Sequence, residues 1–419
     1  MSLKILNIHK WDSGSGGAGR YYLNHEKIMS SQGHLIIPWS AEYSGNRGNS
    51  ISQSYFAPPS PDFQELSKTG AINKISIASS VVWNTGAARK LNSAINHFKP
   101  DIIHAHNIYH QLSASVLEAA TNSGIPVVQS LHDFSHFCIQ SHFFRNGSPC
   151  YDCIESGVLQ GVRHRCFNNS LPGSLLTTFS RYISTQKSIL KKIAGFTTPN
   201  NEIKNLLVEL GLPCERILVI DNPFITKDFP FEKARSNSVG NRYIAAWGTF
   251  AEMKGFGTLL DALELMSNKI TLKIYAKDVH AASNFLRDKV VKLEAKGILK
   301  IVDNLRYGEE LFGELARASL LVVPSEWLVT QEYTVWEGML LGRPVIVGNR
   351  GGNQLLVDNH ELVFKAGNSA DLAATLDRVL AYSHEHLDEL GIALRNRALA
   401  LSDTKLYASK IENFYNEIR

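Results

Sequence analysis

Long apolar runs are missing from this 419-residue chain. Nowhere does it approach the roughly 18–20 consecutive apolar residues that span a bilayer. Its start, Met1-Ser2-Leu3-Lys4-Ile5-Leu6-Asn7-Ile8, enters a strand-like run without the charged and apolar regions of a secretory signal, so a cytoplasmic protein is expected. Charge of one sign is also scarce. Lys and Arg number 43 and Asp and Glu 39, a net charge of +4. That excess is too small to argue for nucleic acid, though it suits an anionic substrate or a mildly basic membrane-facing patch. Five cysteines are too few for a disulfide framework in a chain of this size. No histidine pair stands in an H-E-x-x-H frame, so catalytic zinc is not expected. Internal repeats and low-complexity tracts are absent.

What is there is ordinary in amount: hydrophobic content of 44% and charged content of 20% fit a globular protein. The length favours two domains over one. Short apolar runs alternate with amphipathic stretches, as in Lys4–Ile8, Arg20–Ser31 and Gly33–Ile37, then Asp101–His106 and Pro126–His132. This βαβ rhythm predicts a parallel sheet flanked by helices. It restarts at Tyr243–Gly248 and continues through Leu272–Ala276, Lys300–Val302, Leu320–Val323 and Pro344–Val347. An α/β chain of two Rossmann-like domains is expected, 1–222 and 223–400, joined through the polar connector Arg235–Asn241. A terminal amphipathic helix within 401–419 could pack on either domain, the N-terminal one being the expectation.

The first loop, Gly14-Ser15-Gly16-Gly17-Ala18-Gly19, matches G-x-G-x-x-G by letter. About five residues separate it from the strand, and the only nearby acid, Glu42, lies beyond Pro38 and Trp39, which disfavours a dinucleotide site. The same physics favours an anion at a helix N-terminus, approached by the backbone of Gly16 and Gly17 with Arg20 adding a fixed charge; a plain turn is the alternative. His132-Asp133 closes a predicted buried strand within a histidine-rich stretch (His104, His106, His110, His132, His136, His142), at the edge where α/β sheets bind ligands. Functional and structural roles stay equally open for His132. Cys138-x11-Cys150-x2-Cys153-x12-Cys166 has the layout of a closed structural zinc site, with reduced buried thiols as the alternative.

Lys254 lies just before a helix in a loop flanked by Gly248 and Gly255, placed to reach a diphosphate unless it is simply solvated. Glu337, early in a helix, could accept two ribose hydroxyls or be an ordinary exposed glutamate. Gly351-Gly352 offers another close backbone approach. A basic amphipathic stretch combines Arg181, Lys187, Lys191 and Lys192 with Leu175, Phe179, Ile183, Ile189, Leu190 and Ile193. A surface helix packed through its apolar stripe is expected there, with a lipid-facing helix as the alternative.

In order and spacing these residues resemble the retaining glycosyltransferases of family 4, which have the GT-B fold of two Rossmann-like domains facing across a cleft. The resemblance is carried by Gly16-Gly17-Ala18-Gly19-Arg20, Pro100–Asn107 and His132-Asp133, then by Gly248…Lys254-Gly255 and Pro324-Ser325…Glu337-Gly338-Met339…Gly342-Arg343-Pro344-Val345. The cysteine insertion, 138–166, resembles a subset that builds bacterial surface polysaccharides. The resemblance implies a UDP- or GDP-linked sugar donor in the C-terminal domain and a glycan or lipid-linked acceptor in the N-terminal one. No catalytic metal or nucleic-acid partner is implied, and the chain would be cytoplasmic, with peripheral contact at the inner membrane face. Gly16 and Gly17 would approach the donor phosphates, His132 the transferred sugar, Lys254 the diphosphate and Glu337 the ribose. Gly351, Gly352 and Thr249 fall on the donor side, and Arg20, His106 and Asp133 on the acceptor side.

Three positions depart from the family pattern. Val329 stands eight residues before Glu337, where the family carries a sugar-contacting glutamate. Thr249 stands in place of an arginine, and Leu355 in place of a glutamate. Glu326 and Glu332 are nearby acids, but the register places neither at the sugar position. A catalytically impaired GT-B protein acting as partner or scaffold is therefore a second expectation. An NAD-dependent oxidoreductase would rest on the first glycine loop alone.

Overall fold

The computed structural model describes residues 2–48, 50–59, 78–229, 242–276, 279 and 284–419. The expected connector 235–241 lies outside them. The chain forms two compact units, one of residues 1–143, 151–224 and 404–419 and the other of 144–150 and 225–403.

The N-terminal unit is built on a parallel six-stranded sheet. Its strands are β1 (Lys4–Trp11), β2 (Leu35–Ala41), β3 (Ile102–Ala105), β4 (Val127–Ser130), β7 (Gly195–Thr198) and β8 (Ile217–Val219), in the order β2-β1-β3-β4-β7-β8. The short runs are buried on both faces, as a parallel sheet covered by helices requires. β2 runs on through Pro38, which pairs in register with Asn7. Proline is tolerated because β2 is an edge strand and needs no donor on its outer side. Helix α1 (Gly16–Ser31) follows the glycine loop, starting earlier than the apolar pattern predicts, and the terminal helix Thr404–Ile418 packs against it.

The C-terminal unit repeats the plan with β9 (Tyr243–Trp247), β10 (Thr271–Tyr275), β11 (Leu299–Val302), β12 (Leu320–Val323), β13 (Val345–Gly348) and β14 (Val363–Phe364), in the order β11-β10-β9-β12-β13-β14. The chain winds one way from β9 and then the other from β12. The switch point lies between those strands, where open α/β sheets leave a crevice at their carboxyl ends.

The cysteine segment holds a small antiparallel hairpin, β5 (Phe144–Arg145) and β6 (Ser148–Pro149), turned at Asn146-Gly147 with φ of 51° and 71° at the two turn residues. That positive-φ pair suits a tight hairpin turn. Cys138, Cys150, Cys153 and Cys166 form no disulfide, and among the described residues no three His, Cys, Asp or Glu side chains gather closely enough to hold a metal ion. The expected four-cysteine zinc staple thus finds no support in the fold. C-x2-C spacing brings two thiols near each other only if the intervening backbone turns in the way a zinc knuckle does. Here Cys150 ends the hairpin segment and Cys153 sits in the short helix Asp152–Glu155.

Candidate functional site

Three loops meet at the carboxyl edge of the C-terminal sheet. Gly255 has φ 73°, and a Cβ there would lie 1.9 Å from the Pro324 carbonyl oxygen; Glu326 N–H donates to Met253 O at 3.0 Å. The loop after β9 is thereby locked to the loop after β12. Gly351, at φ 72°, is the corresponding lock of the β13 loop. A Cβ there would meet Val329 O at 2.2 Å, and Gly352 N–H donates to that oxygen at 2.9 Å. Only glycine combines this backbone conformation with so close an approach.

Lys254 occupies the centre. Its ammonium forms an ion pair with Glu332, whose carboxylate also accepts from Ser325 Oγ at 2.9 Å, Asn353 Nδ2 at 3.1 Å and Trp327 Nε1 at 3.4 Å. Asn353 Oδ1 in turn accepts from Glu332 N–H at 3.1 Å. Burial alone would raise the Glu332 carboxyl; the Lys254 charge and the hydrogen bonds outweigh it and hold the group below the usual carboxylate range. Glu326 is also buried and accepts from Thr258 Oγ1 at 2.5 Å. Burial raises its pKa, partly offset by that bond and by Arg350.

Glu337 lies in the helix Tyr333–Leu340 and is only 1% exposed, so it is not the exposed helix glutamate of the alternative reading. Trp247 Nε1–H donates to one carboxylate oxygen at 2.9 Å and the Tyr307 hydroxyl donates to the other. Val329 is fully buried and bridges to Gly351, so its side chain belongs to the core. Thr249 and Leu355 are exposed.

In the N-terminal unit, His106 and His132 meet at 3.2 Å between Nδ1 and Nε2, with Asn7 Oδ1 at 2.7 Å from His106 Nε2. If Asn7 accepts from His106 Nε2–H, His106 Nδ1 is left to accept from His132. Desolvation lowers His132 to about 3, helped by His9, and drives His106 well below its ordinary value, so both rings are neutral at pH 7. Beside them runs a chain of hydrogen bonds: Ser130 to His104 (2.8 Å), His104 to Tyr415 (2.5 Å), Tyr415 to His25 (3.2 Å), His25 to Tyr407 (3.0 Å) and Tyr407 to Tyr21 (2.9 Å). Asp133 is held by Asn107 Nδ2 at 3.1 Å and Ser135 N–H at 2.8 Å. Gly16 and Gly17 are exposed at the start of α1, where Ser15 supplies no side-chain cap, and Arg20 follows in the next turn. The glycine loop is braced from below by the buried Asp12, which accepts from Arg47 Nε at 3.1 Å and Tyr22 OH at 3.0 Å.

Sequence reasoning did not find the Glu332 lock, the Tyr307 and Trp247 contacts of Glu337, or the Asp12–Arg47 brace. Glu332 is 78 positions from Lys254 and Asp12 35 from Arg47, and no helical or strand periodicity links such pairs. The one local signal was the clustering of Ser325, Glu326, Trp327 and Glu332 after a buried strand.

Two doubly wound α/β units with these switch-point loops define the GT-B class. The whole chain takes the fold of a glycosyltransferase from Rickettsia africae ESF-5 (16% identity, TM-score 0.66, covering 100% of this chain and 98% of that one). It is likewise similar to sucrose-phosphate synthase from Thermosynechococcus elongatus (15%, 0.69, 99% and 99%) and to Anabaena HepE in complex with UDP and glucose (15%, 0.65, 99% and 100%). At these identities the likeness shows the fold alone. No curated protein matches the sequence. The model of Glycosyltransferase Family 4 matches residues 15–227, just over half of the chain, and that of Glycosyl transferases group 1 matches 241–382. The chain belongs to glycosyltransferase family 4.

Proposed function

We propose that this chain transfers a sugar from a UDP- or GDP-linked donor to a hydroxyl of a glycan or lipid-linked acceptor, with retention of anomeric configuration, in the building of a surface polysaccharide. The observation that carries the donor half is the Lys254 ammonium, held on buried Glu332 at the switch point of the C-terminal unit. A cation fixed there can stabilise the negative charge that develops on a departing diphosphate, without reorganising during the reaction. Glu337 would receive the ribose. Its oxygens accept from Trp247 and from Tyr307, which is exposed, and a ribose hydroxyl would take the place of the Tyr307 bond. The backbone of Gly351 and Gly352, with Thr249 beside it, would complete the donor side, the Gly352 N–H staying on Val329 O.

In the N-terminal unit, His132 would act as a neutral hydrogen-bonding group toward the transferred sugar, since its imidazole carries no charge at pH 7. Gly16 and Gly17 would offer backbone N–H groups to a phosphate, and Arg20, His106 and Asp133 would lie on the acceptor side. HepE is solved with UDP-glucose, which favours a UDP-linked donor. A lipid-linked acceptor would require the chain to meet a membrane surface from the cytoplasmic side.

A panel of UDP- and GDP-sugars, scored for binding, hydrolysis and transfer, tests the proposal. Glu337→Ala is expected to weaken UDP binding by about tenfold or more, the scale of one lost charge-assisted hydrogen-bond pair. Tyr307→Phe is expected to change it no more than about threefold. Equal affinity of wild type and Glu337→Ala, measured by calorimetry, would remove the ribose role. The burial of Val329 at the position of the family's sugar-contacting acid favours a second reading, a nucleotide-sugar-binding partner or scaffold. Donor binding with neither hydrolysis nor transfer across the panel would select it.

A further inference from the structure

The helix α2, Leu171–Gln186, is inverted. Ser174, Thr177, Thr178, Ser180, Arg181 and Ser184 form its buried face. Leu171, Leu175, Phe179 and Tyr182 are 43, 51, 54 and 51% exposed. Their spacing of four, four and three residues aligns them in one stripe. Of the apolar residues expected to pack, Leu175 and Phe179 face solvent, Ile183 and Leu190 are half-buried, and Ile189 and Ile193, beyond the helix, are buried.

The inward polar face is anchored. Ser180 Oγ donates to Val82 O at 3.0 Å, and the Arg181 guanidinium lies 5.4 Å from the Tyr109 ring centre. Rolling the helix to hide its apolar stripe would break the Ser180 bond and carry Arg181 away from Tyr109, although Thr178 Oγ1 and Arg181 Nε are buried without a hydrogen-bond partner among the described residues as the helix stands. The short helix Gln160–Arg163 packs on α2, and Leu159 beside it is 72% exposed, extending the apolar surface.

The charge carried by this part of the chain is mostly positive, with Glu118 and Asp152 as neighbouring carboxylates. Between Glu155 and Glu202 the sequence contains no Asp or Glu and six cations, Arg163, Arg165, Arg181, Lys187, Lys191 and Lys192. All but Arg181 are exposed. Lys187 pairs with Glu118 at 2.7 Å and Lys192 with Asn122 at 3.3 Å, exposed contacts that exchange readily for others. The chain as a whole is nearly balanced, so this segment concentrates the positive charge.

We infer that α2 is a membrane-docking surface: its apolar stripe enters the acyl boundary of an anionic bilayer while the basic rim meets lipid phosphates. An exposed apolar stripe bordered by more cations than carboxylates complements a bilayer with negative headgroups. No described helix is long and apolar enough to cross a membrane, so the helix lies in the interface plane. The docking rests on the proposed transfer reaction only for its purpose, which is to bring the acceptor side to a lipid-linked substrate.

Sedimentation of the full chain with phosphatidylcholine vesicles, with and without equimolar phosphatidylglycerol, tests it without donor or acceptor, so its failure and that of the transferase reading are separate results. Binding to the anionic vesicles alone is expected, falling with added salt. It should weaken about tenfold or more in Leu175→Ser/Phe179→Ser but stay unchanged in Leu265→Ser, which alters an exposed leucine of the C-terminal unit. Phe179→Trp should add, as the difference from the wild type with its six tryptophans, blue-shifted emission quenched by brominated lipid, a readout that stands even if the double variant folds poorly. No binding to anionic vesicles, equal binding by the double variant, or an unquenched tryptophan overturns the inference. A solution dimer that Leu175→Ser/Phe179→Ser dissociates does so too, since a second copy would then cover the stripe.

Discussion

At pH 5 the N-terminal unit is expected to be far less stable than at pH 7.5, with its melting temperature lowered by about 10 °C or more. Five histidines, His9, His25, His104, His106 and His136, are almost fully buried there. Desolvation is the main cause that lowers His9 to about 4, His25 and His136 to about 3, and His104 and His106 well below the ordinary 6.5. In the unfolded chain these rings take up protons as the pH falls below about 6.5, while in the folded chain they stay neutral. The unfolded state therefore gains free energy of protonation first. Their contribution to stability is complete above about pH 6.5 and is lost progressively toward pH 3–4. One such histidine loses about 2 kcal/mol between pH 6.5 and pH 5, from 1.36 kcal/mol per unit. The rings are coupled, because a charge on His25 or His132 lowers His104 further, so their losses do not add in full. Even two or three equivalents, about 4–6 kcal/mol, would consume much of a typical stability. Thermal unfolding followed from pH 7.5 to 4.5 checks this. A flat profile would mean that water reaches the rings and that the Ser130–His104–Tyr415–His25 chain is not closed as described. His104→Gln, which removes one titrating ring, should make the slope shallower.

Lys254→Ala is expected to destabilise the C-terminal unit by about 2–3 kcal/mol as well as reduce turnover. The ion pair is less enclosed than a fully buried one, for which losing a partner costs about 3–5 kcal/mol: the Lys254 side chain is 24% exposed and that of Glu332 8%. Without the ammonium, Glu332 keeps its bonds from Ser325, Asn353 and Trp327 but must carry a buried charge unpaired or take up a proton. Lys254→Met/Glu332→Gln, which removes both charges, should therefore be more stable than the sum of the two single changes predicts, with a coupling energy of about 1–3 kcal/mol. Urea titrations of the four proteins measure it. Additive effects would show that the pair contributes no coupling energy. The double variant also separates stability from catalysis: if it recovers stability but not transfer, the ammonium itself is needed for the reaction.

The alternation of buried runs and amphipathic stretches was enough to place β3, β4 and β9 to β13 within a residue or two, because an apolar run buried on both faces is a local property; β1 and β2 run three and four residues further than expected, and β7 and β14 were not read from the sequence. Phe256–Leu265 and Thr404–Ile418 were legible for the same reason, each carrying its own helical period. The glycines at 255 and 351 marked loops of close approach, since no other residue tolerates their backbone. What the sequence could not show was which distant groups those loops bring together. Glu332 on Lys254, Tyr307 on Glu337 and Arg47 on Asp12 depend on strand order, and strand order is decided by how the helices cover the sheet as a whole. The four cysteines mark the opposite failure, a sequence spacing that the folded backbone does not turn into a shared centre.

The α/β class was thus legible in the sequence through its periodicity, and the family through the resemblance of its motifs. The tertiary structure decided which carboxylate holds the lysine, which histidines are stripped of water and which face of Leu171–Gln186 meets solvent. Those depend on burial, and burial is set by contacts among residues that lie far apart in the chain.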